Sequence, residues 1–111
     1  MSMNQESGEF IQKQVAQKMH NDYKTNPNPL PNELIYSHFF GVIKLNAMLD
    51  AVQGVMGIRV YYGKAPNDAG VMKQQLMIVA VDSEGKDVTD TNMILDFSTP
   101  CPTFCGNGGG L

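Results

Sequence analysis

Residues 57–81, "GIRVYYGKAPNDAGVMKQQLMIVAV", carry the change of period that decides how the rest of the chain is read. Between Gly57 and Gly63, Ile58, Val60 and Tyr62 alternate with Arg59 and Tyr61, which is the two-residue repeat of a strand with unlike faces. Residues 73–81, "KQQLMIVAV", are the natural partner. Between them "KAPNDAG" at 64–70 holds Pro66, Asn67, Asp68 and Gly70, so a hairpin with a long polar tip is expected. Such a tip makes few buried contacts and should be the most mobile internal segment. If Leu76, Ile78 and Ala80 oppose Ile58, Val60 and Tyr62 on one face, then Arg59 and Tyr61 share the other with Gln75, Met77, Val79 and Val81. That second face is half apolar, so it requires a cover: the first helix, the carboxy-terminal tail or a second copy of the chain.

Working outward, "DSEGKD" at 82–87 reads as a turn and "TNMILDF" at 91–97 as a third strand, which together make an antiparallel meander. Upstream, "EFIQKQVAQKMHND" at 9–22 places Ile11, Val15, Met19 and then Tyr23 at steps of four, a narrow stripe on a helix. The prolines of "TNPNPLPN" at 25–32 remove backbone donors and turn the chain into an extended connector. A second helix is expected from a Ser37 cap, with Phe39, Val42, Leu45, Leu49 and Val52 on its apolar face and Gly54 or Gly57 as its stop. The fold class is therefore α+β: two N-terminal helices packed on a short antiparallel β-meander of about three strands. With 111 residues and 42% apolar content the chain can bury one core without covalent help, so a single domain over 1–111 is expected. Residues 1–8 are expected to be a flexible N-terminus and 106–111 a glycine-rich tail.

Composition narrows the function. The net charge is -3, the eight Lys and Arg residues are scattered, and Arg59 is the sole arginine. Such a chain cannot neutralise a phosphate backbone, which argues against a nucleic-acid partner. The longest apolar runs, such as 76–81, are far short of a membrane span. The opening "MSMNQESGEF" lacks the basic and apolar regions of a signal peptide, so a cytoplasmic setting with mostly reduced thiols is expected.

The two cysteines, Cys101 and Cys105, lie in "CPTFCGNGGGL" at 101–111. A zinc site needs four ligands and this unit supplies two; neither His20 nor His38 has the spacing to complete the set, although a dimer would bring two pairs together. A redox pair needs a helix N-terminus or nearby cations to lower a thiol pKa, and usually has two intervening residues where this one has three. Pro102 suits the second position of a tight turn, which would bring the two α-carbons within disulfide range. A proline-directed structural turn, reduced or oxidised and with no cofactor, is the favoured reading, with zinc as the alternative.

Other motifs are weaker. "GNGGG" lacks the strand and helix of a dinucleotide fingerprint. "DSEGKDVTD" lacks the ligand order of a calcium loop and has Met93 where the twelfth-position glutamate belongs. No local Ser, His and Asp set supports catalysis. His38 reads as a helix-start residue with a satisfied hydrogen bond. Arg59 has two readings. Its stem packs on Tyr61 or Met77 while the guanidinium reaches solvent or a carboxylate such as Asp96, or Arg59 and Tyr61 form an anion-binding anchor on an exposed sheet face.

Through "GIRVYYG" and "CPTFCG" the chain resembles a group of small uncharacterised bacterial proteins that pair a Gly-Ile-Arg-x-Tyr-Tyr-Gly strand with a C-terminal Cys-Pro-x-x-Cys-Gly element. The resemblance covers 37–106 and implies that the hairpin and the cysteine tail belong to one small domain; it implies no activity. The function expected is a small non-enzymatic binding or assembly module that self-associates as a homo-oligomer. The rival is a metal- or thiol-based function centred on Cys101 and Cys105.

Overall fold

The central hairpin forms with the two faces that the alternation dictates. A computed structural model describes residues 3–25, 35–90, 93–96 and 98–101. Its elements are α1 (Lys13–Thr25), β1 (Ser37–Phe39), α2 (Val42–Asp50), β2 (Gly57–Pro66), β3 (Met72–Val81) and β4 (Thr99–Cys101). β2 and β3 are antiparallel, with Ile58 opposite Ala80, Val60 opposite Ile78 and Tyr62 opposite Leu76. The strands run on past Gly63, so the tip is shorter than the 64–70 loop expected. Asn67 closes it: its amide donates to the Val71 carbonyl at 2.9 Å, and its Oδ1 accepts from the amides of Ala69 and Val71, each at 2.9 Å. Gly70 supplies the positive φ of +80° that the reversal needs.

The core lies where α2 meets β3. Met48, Ile78 and Ala80 are 3%, 7% and 2% exposed, and Leu45, Leu49 and Val52 pack around them. Positions 45, 48, 49 and 52 repeat at helical spacing, so one face of α2 and its C-terminal extension presents a continuous apolar stripe to the sheet.

Three features differ from the expectation. The second helix does not begin at Ser37. Residues 37–39 are extended and pair antiparallel with β4, Ser37 opposite Cys101 and His38 opposite Pro100. This pairing gives their backbone groups partners in an extended form, and the helix starts only after Gly41, an N-cap with φ -71° and ψ 150° that offers no side-chain cap. The helix ends at Asp50, and Gly54, at φ +70°, serves the turn beyond it.

The third strand of the meander is replaced by two short returns to the outer edge of β3. The Asp82–Gly85 turn sends the chain straight back, so that Asp87 bridges to Val81 and the Val88 amide donates to the Ala80 carbonyl at 2.9 Å. With that end of the edge taken, 93–96 contributes one bridge, Leu95 to Ile78, whose two hydrogen bonds are 2.8 and 2.9 Å. The class remains α+β, built as a hairpin with two bridges and a separate two-stranded β1–β4 sheet.

Only one of the two helices packs on the sheet through an apolar face. α1 begins and ends later than 9–22, and no described residue in it is buried; Val15 and Met19 are 48% and 61% exposed. A stripe one side chain wide offers too little apolar area to dock a helix. Its link to the hairpin is polar: the Tyr23 hydroxyl donates to Gln74 Oε1 at 2.9 Å. No helix among the described residues is long and apolar enough to cross a membrane. The glycine-rich stretch 106–111 lies outside the described residues.

Candidate functional site

Arg59 and Tyr61 lie two residues apart on β2 and so share a face, with Val79 opposite Arg59 and Met77 opposite Tyr61. The structure brings both to a third residue, Asp87. Its placement follows from local chemistry in the preceding turn. Asp82 Oδ1 accepts from the amides of Glu84 and Lys86 at 2.9 and 3.0 Å, and Gly85 adopts φ +83°. The chain therefore reverses within four residues, and the bridge to Val81 puts Asp87 on the face of the sheet that holds Arg59. One carboxylate oxygen of Asp87 accepts from Arg59 Nη1 and the other from the Tyr61 hydroxyl.

This arrangement is a neutralised polar staple. The Asp87 charge raises the Arg59 pKa further above its ordinary value, and the hydrogen bond to Asp87 is the main reason that the Tyr61 hydroxyl is held above its own. Arg59 Nη2 also contacts Met3 Sδ at 3.1 Å. Residues 4–7 form a turn closed by the Ser7 amide on the Asn4 carbonyl at 3.1 Å. Between that turn and the strand ends is a cleft of about 310 Å³ lined by Met3, Ser7, Met56, Ile58 and Arg59. An anion entering this cleft would meet a guanidinium already shared with Asp87. The carboxylate that Arg59 reaches is thus Asp87 and not Asp96. The signal for it was present in the sequence: a turn over 82–86 forces 87 opposite 81, on the phase of Arg59.

A second polar cluster joins β1 to the residues that lead into β4. His38 Nδ1 and Ser98 Oγ share a 2.7 Å hydrogen bond across sixty residues of sequence. His38 Nε2 and Asp96 Oδ1 are buried and without partners among the described residues. Here Ser, His and Asp do assemble from distant positions. A catalytic relay, however, needs one ring nitrogen on the hydroxyl and the other on the carboxylate, and among the described residues only the first contact exists. His38 is thus a strand residue facing Ser98, not the start of a helix.

Burial holds His38 below its ordinary 6.5, with the nearby Asp96 charge opposing. Unfolding below about pH 6.5 therefore takes up a proton that the folded state declines. The contribution of His38 is intact above its unfolded value and is lost as pH falls through the folded one. Melting temperature followed from about pH 7.5 to about pH 5.5 should drop more steeply in the wild type than in His38→Gln. Equal slopes would show that burial of this imidazole does not matter.

The Cα of Cys101 lies opposite that of Ser37 at the end of β4. Its side chain and the whole of Cys105 are outside the described residues, and so is the expected turn between them. Among the described residues no three His, Cys, Asp or Glu side chains gather as a metal site. No protein-family model matches the sequence, and no curated protein or solved structure matches it significantly.

Proposed function

We propose that the chain is a small non-enzymatic binding and assembly module that associates with copies of itself. One observation carries this: the apolar surface of the hairpin is only half covered. α2 packs on β3, while Ile58, Val60 and Tyr62 of β2, on the same face, are 46%, 43% and 80% exposed. A two-stranded hairpin is marginal in water by itself, and further strands or packing on the β2 side would complete it. Arg59 and Tyr61, on the opposite face of the same strand, are the polar residues proposed to meet a partner. The weak, scattered positive charge favours a protein partner over a nucleic acid, and a cytoplasmic setting accords with the composition.

Sedimentation over a range of concentrations tests the proposal, and a reversible monomer-to-dimer shift is the expected result. A chain that stays monomeric up to its solubility limit would overturn it. The rival reading, zinc or thiol chemistry at Cys101 and Cys105, is tested in the same sample. The Cys101→Ser, Cys105→Ser double variant should keep its oligomeric state and lose at most about 3 kcal/mol of stability, the scale of a small staple. Near-stoichiometric zinc in the wild type, or unfolding on adding a chelator, would put the rival first.

A further inference from the structure

We infer that the partner is a second copy of this chain joined along β2, antiparallel and about a two-fold axis through Val60, so that two hairpins become one four-stranded sheet. This rests on the self-association proposed above and specifies its geometry.

The free edge is identified by hydrogen bonds on the other side of the hairpin. Ile78 exchanges both backbone bonds with Leu95, and the Ala80 carbonyl accepts from Val88. Both residues therefore turn their peptide groups away from β2. In an antiparallel ladder their opposite numbers, Val60 and Ile58, must then turn theirs away from β3, and the alternation extends this to Tyr62. Among the described residues nothing pairs with these amides and carbonyls. β2 is ten residues long, and an edge of that length with apolar side chains is a template for another strand.

The sequence of the edge selects the occupant and the register. "GIRVYYG" is bounded by glycines at equal distances from Val60, so a two-fold axis there overlaps seven residues and ends the overlap at Gly57 and Gly63. Val60 then faces its own copy and Ile58 faces Tyr62 of the other chain, which matches apolar with apolar on the face beside α2. On the opposite face Arg59 falls across from Tyr61 of the other chain, twice by symmetry, so no two like charges meet there, and both side chains stay directed over β3 to Asp87. Shifting the register by two residues one way sets Arg59 against its own copy, like charge on like. The shift the other way sets Ile58 against Lys64. Of these three registers only the Val60-centred one avoids both.

The test uses the full chain with two readouts. Val60→Pro removes an amide that the hairpin does not use, so the variant should keep its far-ultraviolet circular dichroism while dimerising at least tenfold more weakly. Separately, in the Cys101→Ser, Cys105→Ser background, a spin label at Asp68→Cys, on the tip, should report a separation of about 50 Å between copies, because the two tips lie sixteen residues apart along the paired strands at about 3.3 Å each. A Val60→Pro dimer as tight as the wild type would overturn the edge pairing and leave self-association standing. So would a label separation under about 30 Å, as a parallel pairing would give. A monomeric wild type would overturn both. If Val60→Pro does not fold, the label separation in the chain that keeps Val60 decides alone.

Discussion

Replacing Ile78 with alanine is expected to lower the unfolding free energy by about 3 kcal/mol and the melting temperature by roughly 15 °C. Ile78 is 7% exposed at the point where β3 meets Met48 of α2, and the neighbouring buried residue on its face, Ala80, is already small. Ala80 is too short to reach into the space, so the lost transfer energy is joined by that of a residual cavity. Ile78→Val, one methylene smaller, should cost about 1 kcal/mol. Urea titration gives the measurement: the midpoint should fall while the slope stays constant. A loss below about 1 kcal/mol for the alanine variant would mean that the contact between α2 and β3 is not the principal core.

Leu95→Pro should be nearly as damaging, at about 2 to 3 kcal/mol, for a different reason. Leu95 supplies the amide that the Ile78 carbonyl accepts, at 2.9 Å, and its side chain packs at the margin of the core. Proline deletes that donor and leaves a carbonyl on a buried strand without its partner. Leu95→Ala, which keeps the donor and trims only the packing, separates the two contributions. If both variants lose the same stability, the bridge itself contributes nothing beyond side-chain contact.

The two faces of β2 and β3 were legible in the sequence because a two-residue repeat fixes which side chains share a side; the exact pairing, from Ile58 with Ala80 to Pro66 with Met72, is set by the turn at Asn67, which the repeat does not encode. α2 was legible along its packed stretch, from Leu45 to Val52, but not at its start. Ser37 has the chemistry of a cap, yet a three-residue strand carries no period that could compete with it, and the partner strand lies some sixty residues away. The third strand failed similarly. One bridging residue, Leu95, leaves no alternation to detect, and the apolar run "MIL" that ends with it reads the same in a strand or a loop. Of the candidate site, Arg59 and Tyr61 were visible as exceptions within an apolar strand. Asp87 was hidden because it sits in a charged turn that reads as solvated, although turn geometry fixes its phase. The α1 stripe was legible as a helix, but its width and not its period decides whether it packs.

The pairing of β1 with β4 sets the order in which the chain can come together. His38 and Ser98 are sixty positions apart in sequence, against six for Pro66 and Met72 at the hairpin tip. Loop-closure entropy makes the longer closure dearer by about 2 kcal/mol, set against only three residue pairs. Once the hairpin exists much of that span is already folded away, so the small sheet depends on the large one and not the reverse. On closure entropy alone it is the last seam to form and the first to part on warming. The His38 to Ser98 hydrogen bond belongs to that seam.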